Sequence, residues 1–505
     1  MNDENSYNLI DEAWIPVLMK DGSNRAVSLG DIFADTDGAI ADLALNPYER
    51  VAVFRLLLCI AQAALGPDRL KDEDAWKAAK SDVGPLSTAY LRKWHHRFFL
   101  YGPHAFLQPD DVVAAREDAK TSCDKLVFHF SSGNKSTLFD HGAADAGRML
   151  SDELLALSLV SFQNFSAGGL SGTCNWSGVE TERSVKGAPC REQSMLFTML
   201  MGGNLMESIW MNLLSTKVIA NGLSAELGRP AWELETLSRS GSAELANTVL
   251  GHLVPLSRAI KLLKGSSACV LGGGVVYPQL PAWRDQMASV KLKEDGTPTY
   301  ISSDPSRLPW RDLASVLQIR GTGGRKSALA LHHLESLPDD KSFTIWTGGL
   351  YAEKAKEIAT VEWSASLPVS MLEESALQRY ETAIGWAERQ RSALRFAAKT
   401  YSDEMKFDEA SRFYGPAERA YWDILAQPAN LKIVLCVESE TYMDDWKEAT
   451  HKAAEEAYRR ACPAVTARQM EAFVQGFAKL RVPDRKKDKA DGSTDSKEPE
   501  GDDYV

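Results

Sequence analysis

The sequence predicts an α+β protein in two parts: a large mixed domain over residues 1–366 and a four-helix bundle over 367–481, followed by a disordered tail over 482–505. Three observations carry this. Strand-like and helical runs are interspersed up to about residue 366 without the regular alternation that a doubly wound sheet requires. From about Leu367 the strand-like runs nearly vanish and amphipathic helical stretches follow one another with short connections. From Val482 the chain is polar, lacks aliphatic periodicity and mixes Pro, Gly, Ser, Asp and Lys.

Taken in order, AWIPVLM near the start reads as a strand and YERVAVFRLLLCIAQAAL as a helix. KLVFHF, CVLGGGVVY and SFTIWTGGL read as further strands, and the Met-rich TMLMGGNLMESIWMNLL as a helix. In the C-terminal part, Ser370 with Glu373 forms a capping-box signature for a first helix running to about Tyr401. Phe413, Ala417, Ala420, Tyr421, Ile424 and Leu425 fall at helical spacing in a second, with Pro416 at a kink or restart. YMDDWKEATHKAAEEAYRRA is a third. A fourth begins at Thr466, with Gln469 as its box partner, and is expected to bury Met470, Phe473, Phe477 and Leu480.

With 44% hydrophobic and 25% charged residues, 505 residues supply ample material for a core. No apolar run approaches the ~20 residues that cross a bilayer, and the first residues lack the pattern of a signal peptide, so the expectation is a cytoplasmic protein with no membrane partner. Seven scattered cysteines without a CxxC motif read as reduced, mostly buried thiols rather than a disulfide framework or a zinc site. The formal charge of -12 argues at first against a phosphate-rich partner. Residues 490–505, however, hold six acids against one lysine, a net of -5, so the rest of the chain carries only about -7 and local basic stretches can still attract phosphate.

Catalysis finds no support in the motifs. The histidines include the adjacent pairs His95-His96 and His332-His333, a poor chelate spacing, and no HExxH occurs. GTGGRKS lacks the P-loop pattern because Arg325 intervenes before Lys326, and no G-x-S-x-G elbow is present. No catalytic residue, metal ligand or cofactor is therefore nominated. Three other features suit a nucleic acid. The loop FQNFSAGGLSGTCNWSG carries Gly168 and Gly169 among small polar residues, where backbone can approach another chain or a groove, unless it is a flexible surface loop. KLVFHFSSGNKS ends an aromatic run in a polar loop; the aromatics could stack on a base or belong to a core strand. Arg391, Arg395 and Lys399 recur every four residues on one helix face, with Arg389 nearby, which suits either a solvated face or a phosphate track.

NLIDEAWIPV, ERVAVFRLLLCIAQ, FFLYGPHAFLQ, the glycine loop, LPWRDLASVL, WTGGLYAEKAK and YGPAERAYWDIL, in that order, resemble the CasA-type large subunit of the type I-E CRISPR surveillance complex, Cascade. The resemblance spans nearly the whole chain apart from the acidic tail. It implies a non-enzymatic subunit that sits at the crRNA 5′ end beside the backbone, small and 5′-handle-binding subunits. Such a subunit recognises the protospacer-adjacent motif (PAM) in double-stranded target DNA, opens the first base pairs and presents the complex to a helicase-nuclease. By motif, Phe128, His129 and Asn134 would contact the crRNA handle, and Gly168 and Gly169 the PAM minor groove through backbone, as would Lys293 or Lys291 in SVKLKEDG. The family places a polar wedge, commonly glutamine, five residues past the second glycine of a late hairpin; counting from Gly349 gives Lys354, with Lys356 next. A CxxC pair known in the family is missing, and no zinc is expected. The reading of another class is a stand-alone metal-dependent nuclease using His95, His96 or Asp140-His141.

Overall fold

The structure is a computed structural model that describes residues 7–116, 120–130, 148–223, 225–319, 326–336, 341–353 and 356–482. It divides into two compact units, Met1–Glu374 and Ser375–Val505.

The first unit is built around the helix Pro47–Arg69. Proline at its first position and Asn46 bonded to Glu49, through the backbone N–H at 3.3 Å and the side-chain amide at 2.9 Å, fix where it starts. Gly66, at φ 69°, and Pro67 kink its last turn. Contrary to the expectation that no run reaches membrane-spanning length, this helix is long and apolar enough in composition to cross a membrane, yet 72% of its most apolar window is buried inside the protein. Its charged groups are paired there. Arg55, fully buried, meets Asp285 at 2.8 Å and also donates to the carbonyls of Leu253 and His252, and Arg50 grips Asp42 at 2.7 Å. Charge placed inside a core stands only with such partners.

Small antiparallel sheets surround the helix. Ile15–Met19 lies between Asn24–Val27 and Ile40–Leu43, Ala268–Gly273 between Arg258–Leu262 and Thr121–Ser122, and Ser342–Glu353 between Phe197–Met201 and Lys356–Pro368. The strand expectations for AWIPVLM, CVLGGGVVY and SFTIWTGGL therefore stand. Two others are corrected. TMLM is strand, not helix, because Gly202 and Gly203 break the run and Asn204 caps a new helix, Leu205–Asn212, by accepting from the Glu207 N–H. KLVFHF is no strand: Cys123–Leu126 forms a 3₁₀ turn, and Phe128 beyond it packs edge-on to Tyr48 and stacks on Phe162.

The second unit contains the helices Glu374–Met405, Ser411–Leu425, Pro428–Leu435, Tyr442–Ala461 and Ala467–Phe477. The additional short helix arises because Pro428 restarts the chain after Gln427. Aromatic side chains lace the helices together through backbone carbonyls, Tyr421 to Ala387 at 2.9 Å, Trp446 to Ala383 at 2.8 Å and Tyr458 to Phe473 at 3.1 Å. Thr466 and Gln469 form the expected capping box. Met470, expected in the core, is 56% exposed, because Ala472 and Gly476 rather than Met470 face inward.

Two buried histidines set the acid response of the first unit. His252 stacks on Trp283 at 3.8 Å with Nε2 against the Ala246 carbonyl; His333 stacks on Trp76 at 4.1 Å with Nε2 against the Leu213 carbonyl. Burial pushes each down to about 4. The unfolded chain protonates them near 6.5, so below that pH it holds more protons than the fold, and each histidine lowers stability as the pH falls from there toward about 4. Glu192 acts in the opposite sense: burial raises its carboxyl to about 7, so its contribution falls as pH rises from the unfolded value of 4.5. Two groups against one leave a net loss on acidification from pH 6.5 to 4.5. Urea melts at pH 7, 6 and 5 should show a falling midpoint, and His252→Gln should flatten the slope; a pH-independent midpoint contradicts the assignment.

Candidate nucleic-acid interface

The glycine loop forms a ribbon. After the helix Asp152–Phe165, Gly169–Leu170 pairs with Ser184–Val185, and Arg258 clamps the ribbon base by donating to the Ala167 carbonyl at 2.7 Å and the Lys186 carbonyl at 2.9 Å. Arg258 is 3% exposed, and burial lowers its guanidinium to about 10. The two glycines serve different ends. A Cβ on Gly168 would sit 2.7 Å from the Gly187 nitrogen and 3.1 Å from the Val185 carbonyl, so glycine is needed there for internal packing. Gly169 has φ +113° and nothing within 4 Å of a Cβ position, so its backbone faces open space. Leu170 beside it is 79% exposed, and Arg183 and Lys186, on either side of the return strand, are exposed cations.

The second element is a hairpin of Val290–Leu292 with Pro298–Tyr300, its tip closed by the Lys293 N–H to the Thr297 carbonyl at 2.9 Å. Lys291 and Lys293 are both exposed. The third is the long hairpin Ser342–Glu353 and Lys356–Pro368, which has a register shift between Tyr351 and Ala352 and ends with Glu353 opposite Lys356. Lys356 is exposed; Lys354 lies outside the described residues.

These three elements meet at one short segment, Pro189–Ser194, which continues directly from the ribbon. Arg191 reaches Glu357 of the long hairpin at 2.7 Å and the Phe165 carbonyl ahead of the ribbon at 3.3 Å. The Gln193 side-chain oxygen accepts from the Thr299 hydroxyl at 2.6 Å and the Tyr300 N–H at 3.0 Å in the lysine hairpin. The Ser194 hydroxyl donates to the Ala352 carbonyl at 3.2 Å and accepts from the Ala352 N–H at 3.0 Å. Gln193 and Ser194 hold φ of 51° and 49°, a left-handed backbone that turns both side chains to these partners. Sequence reasoning missed this hub. The one readable signal nearby was Arg258, a charge opening the strand RAIKL, which marks the ribbon base and not the hub itself.

The remaining nominated residues separate. Phe128, 6% exposed, is a core residue, which corrects its assignment to the crRNA handle; His129 after it is exposed, and Asn134 lies outside the described residues. In the second unit Arg391 is taken by Glu388 at 3.0 Å and Glu418 at 2.9 Å, so it drops from the proposed phosphate track. Arg389, Arg395 and Lys399 are exposed, Arg389 over the Trp386 ring and Arg395 over the Tyr414 ring, contacts that leave the charge in place. The nuclease reading gains nothing. His95 bonds Asp11 at 2.7 Å, His96 lies over Trp94, Asp140-His141 falls outside the described residues, and among the described residues no three His, Cys, Asp or Glu side chains gather as a metal-holding group.

Residues 8–461 match the family of the CRISPR-associated protein Cse1. The chain is 29% identical over 505 residues to the CRISPR-associated protein CasA/Cse1 of Thermus thermophilus, covering 93% of this chain and 95% of that protein. In structure it is similar to Thermobifida fusca Cse1, with a TM-score of 0.76 at 21% identity over 95% of this chain and 98% of that one. It is likewise similar to a chain of a CRISPR RNA-guided surveillance complex, with a TM-score of 0.73 at 17% identity over 94% and 99%.

Proposed function

The chain belongs to the CRISPR-associated Cse1 family, and from that premise we propose that it is the large subunit of a cytoplasmic Cascade-type surveillance complex. In this reading it recognises the PAM in double-stranded DNA beside the crRNA and starts strand opening. The observation that carries the proposal is the convergence of ribbon, lysine hairpin and long hairpin on Pro189–Ser194. Each contributes a different physical capability. Open backbone at Gly169 allows close approach to a groove floor, Lys291 and Lys293 bring cations to the flanking phosphates or the minor-groove edge, and the long hairpin offers a projection that can enter a base step. Minor-groove reading distinguishes mainly A·T from G·C, so tolerance of several PAM sequences follows.

Separation of labour extends to partners. His129 and Asn134 remain the candidates for the crRNA handle, and Arg389, Arg395 and Lys399 for following a DNA backbone. The other subunits and a recruited helicase-nuclease would complete interference, since this chain has no nominated catalytic group.

The hairpin tip gives the test. Opening a duplex costs a few kcal/mol per unstacked step, and an inserted side chain offsets part of it. A lysine there lays its methylene stem against the exposed base and its ammonium on a phosphate. Lys354→Ala in the assembled complex should slow R-loop formation roughly tenfold on fully paired targets and leave targets with a pre-opened bubble beside the PAM unchanged. Equal rates for wild type and variant on the paired target would move the wedge to Lys356.

A further inference from the structure

The three elements that meet at Pro189–Ser194 each leave one large aliphatic side chain in the open: Leu170 of the ribbon is 79% exposed, Ile358 of the long hairpin 50% and Leu292 of the lysine hairpin 42%. Among the described residues Leu170 is the most exposed large apolar side chain of the first unit. A leucine at the surface is ordinary by itself; here the backbone also aims it. Gly169 stands opposite Val185 and Leu170 opposite Ser184. Val185 turns inward, its Cγ1 lying 3.0 Å from a Cβ position on Gly273 in the strand Ala268–Gly273. Side chains alternate along a strand and opposite partners share a face, so Leu170 and Ser184 point away from the protein. The projection is held by backbone: Arg258 fixes the carbonyls of Ala167 and Lys186, and the Ser171 N–H donates to the Arg183 carbonyl at 2.8 Å.

Resting on the reading of the ribbon as a PAM-contacting element, we propose that Leu170 is an apolar wedge that enters a base step of duplex DNA from the minor groove, unstacking and kinking it before the strands part. Proteins that bind this groove combine backbone near its floor, cations toward the flanking phosphates and an aliphatic or aromatic side chain pushed between bases. The ribbon carries all three, in Gly169, in the exposed Arg183 and Lys186, and in Leu170. Water leaves the leucine side chain as it slides between the bases, and that burial offsets part of the lost stacking.

The wedge divides the work with the long hairpin. Leu170 bends a duplex whose pairs are still formed, and the hairpin tip then holds the first opened pair. It also selects sequence without a hydrogen bond to any base. Pyrimidine–purine steps unstack most readily, so a step of that kind is favoured where Leu170 enters. Gly169 has no side chain and the lysines are drawn to phosphates, so neither supplies this preference.

The test uses the assembled complex with a crRNA that has no complementarity to the probe, so that the duplex is engaged but no R-loop follows. 2-Aminopurine placed at successive positions through and beside the PAM reports unstacking. With the wild type, fluorescence should rise at one step. With Leu170→Ala that rise should be lost and Kd should increase about tenfold, while Leu170→Phe should keep the rise; all three chains should melt at the same temperature, since the side chain is 79% exposed. Gly169→Asp separates the wedge from the reading it rests on. Normal binding by that variant would remove the ribbon from the DNA and the wedge with it, whereas loss of binding in Gly169→Asp beside an unchanged fluorescence rise in Leu170→Ala would overturn the wedge alone. A Leu170→Ala chain that no longer stays in the assembled complex would assign the side chain to a neighbouring subunit and overturn the wedge as well.

Discussion

Gly169→Asp should reduce target binding by the assembled complex on the order of 100-fold, about 2.7 kcal/mol, while leaving the subunit folded. Nothing lies within 4 Å of a Cβ at this position, so the new side chain meets no wall; its φ of +113° adds local strain, and its carboxylate stands where the ribbon backbone is to face DNA phosphates. Gly168→Ala separates the two roles. Its methyl would press on the Gly187 nitrogen at 2.7 Å, backbone that cannot swing aside as a side chain can. This variant should lower the melting temperature clearly, with any loss of binding following the loss of fold. Thermal melts paired with binding titrations on the same preparations distinguish the outcomes. Near-normal binding by a folded Gly169→Asp complex would remove the ribbon from the DNA interface.

Arg191→Ala should destabilise the first unit by about 3–5 kcal/mol, the range for removing one partner of a buried ion pair. The Arg191 and Glu357 side chains are only 7% and 11% exposed, and their 2.7 Å contact fastens the returning strand of the long hairpin to the segment that ends the ribbon. Function should divide in an informative way. With the hairpin loosened from the ribbon, initial association with duplex should change little, because Gly169 and the lysine hairpin keep their places, whereas R-loop formation on paired targets should slow strongly. Arg191→Lys should restore only part of either property, since a lysine cannot reach Glu357 and the Phe165 carbonyl with the same planar fork. Parallel loss of association and opening would mean that Arg191 supports the unit as a whole and not the coupling of its elements.

Long amphipathic patterns were the most legible part of the chain. The helix Tyr442–Ala461 and the capping box at Thr466 and Gln469 followed from local chemistry alone, because cap and periodicity need no distant partner. What failed depended on contacts across the fold. KLVFHF has strand composition, but Tyr48 and Phe162 draw Phe128 into the core beside a 3₁₀ turn. Spacing placed Arg391 with Arg395 and Lys399, and Glu388, three residues earlier, was a readable partner; Glu418, from another helix, was not. Gly168 and Gly169 are indistinguishable as letters, and only the neighbouring backbone divides packing from exposure. The hub at Pro189–Ser194 left almost no trace, since its left-handed turn at Gln193 and Ser194 uses neither glycine nor asparagine, the residues that usually announce one.

The most direct measurement is a binding selection of a randomised PAM library by the crRNA-guided complex assembled with the wild-type chain, without it, and with Lys291 and Lys293 both changed to alanine. A defined PAM preference is expected with the wild type, no preference without the chain, and a weakened and less selective enrichment for the double variant. The same preference retained by the complex that lacks this chain would contradict the assignment of PAM reading to it.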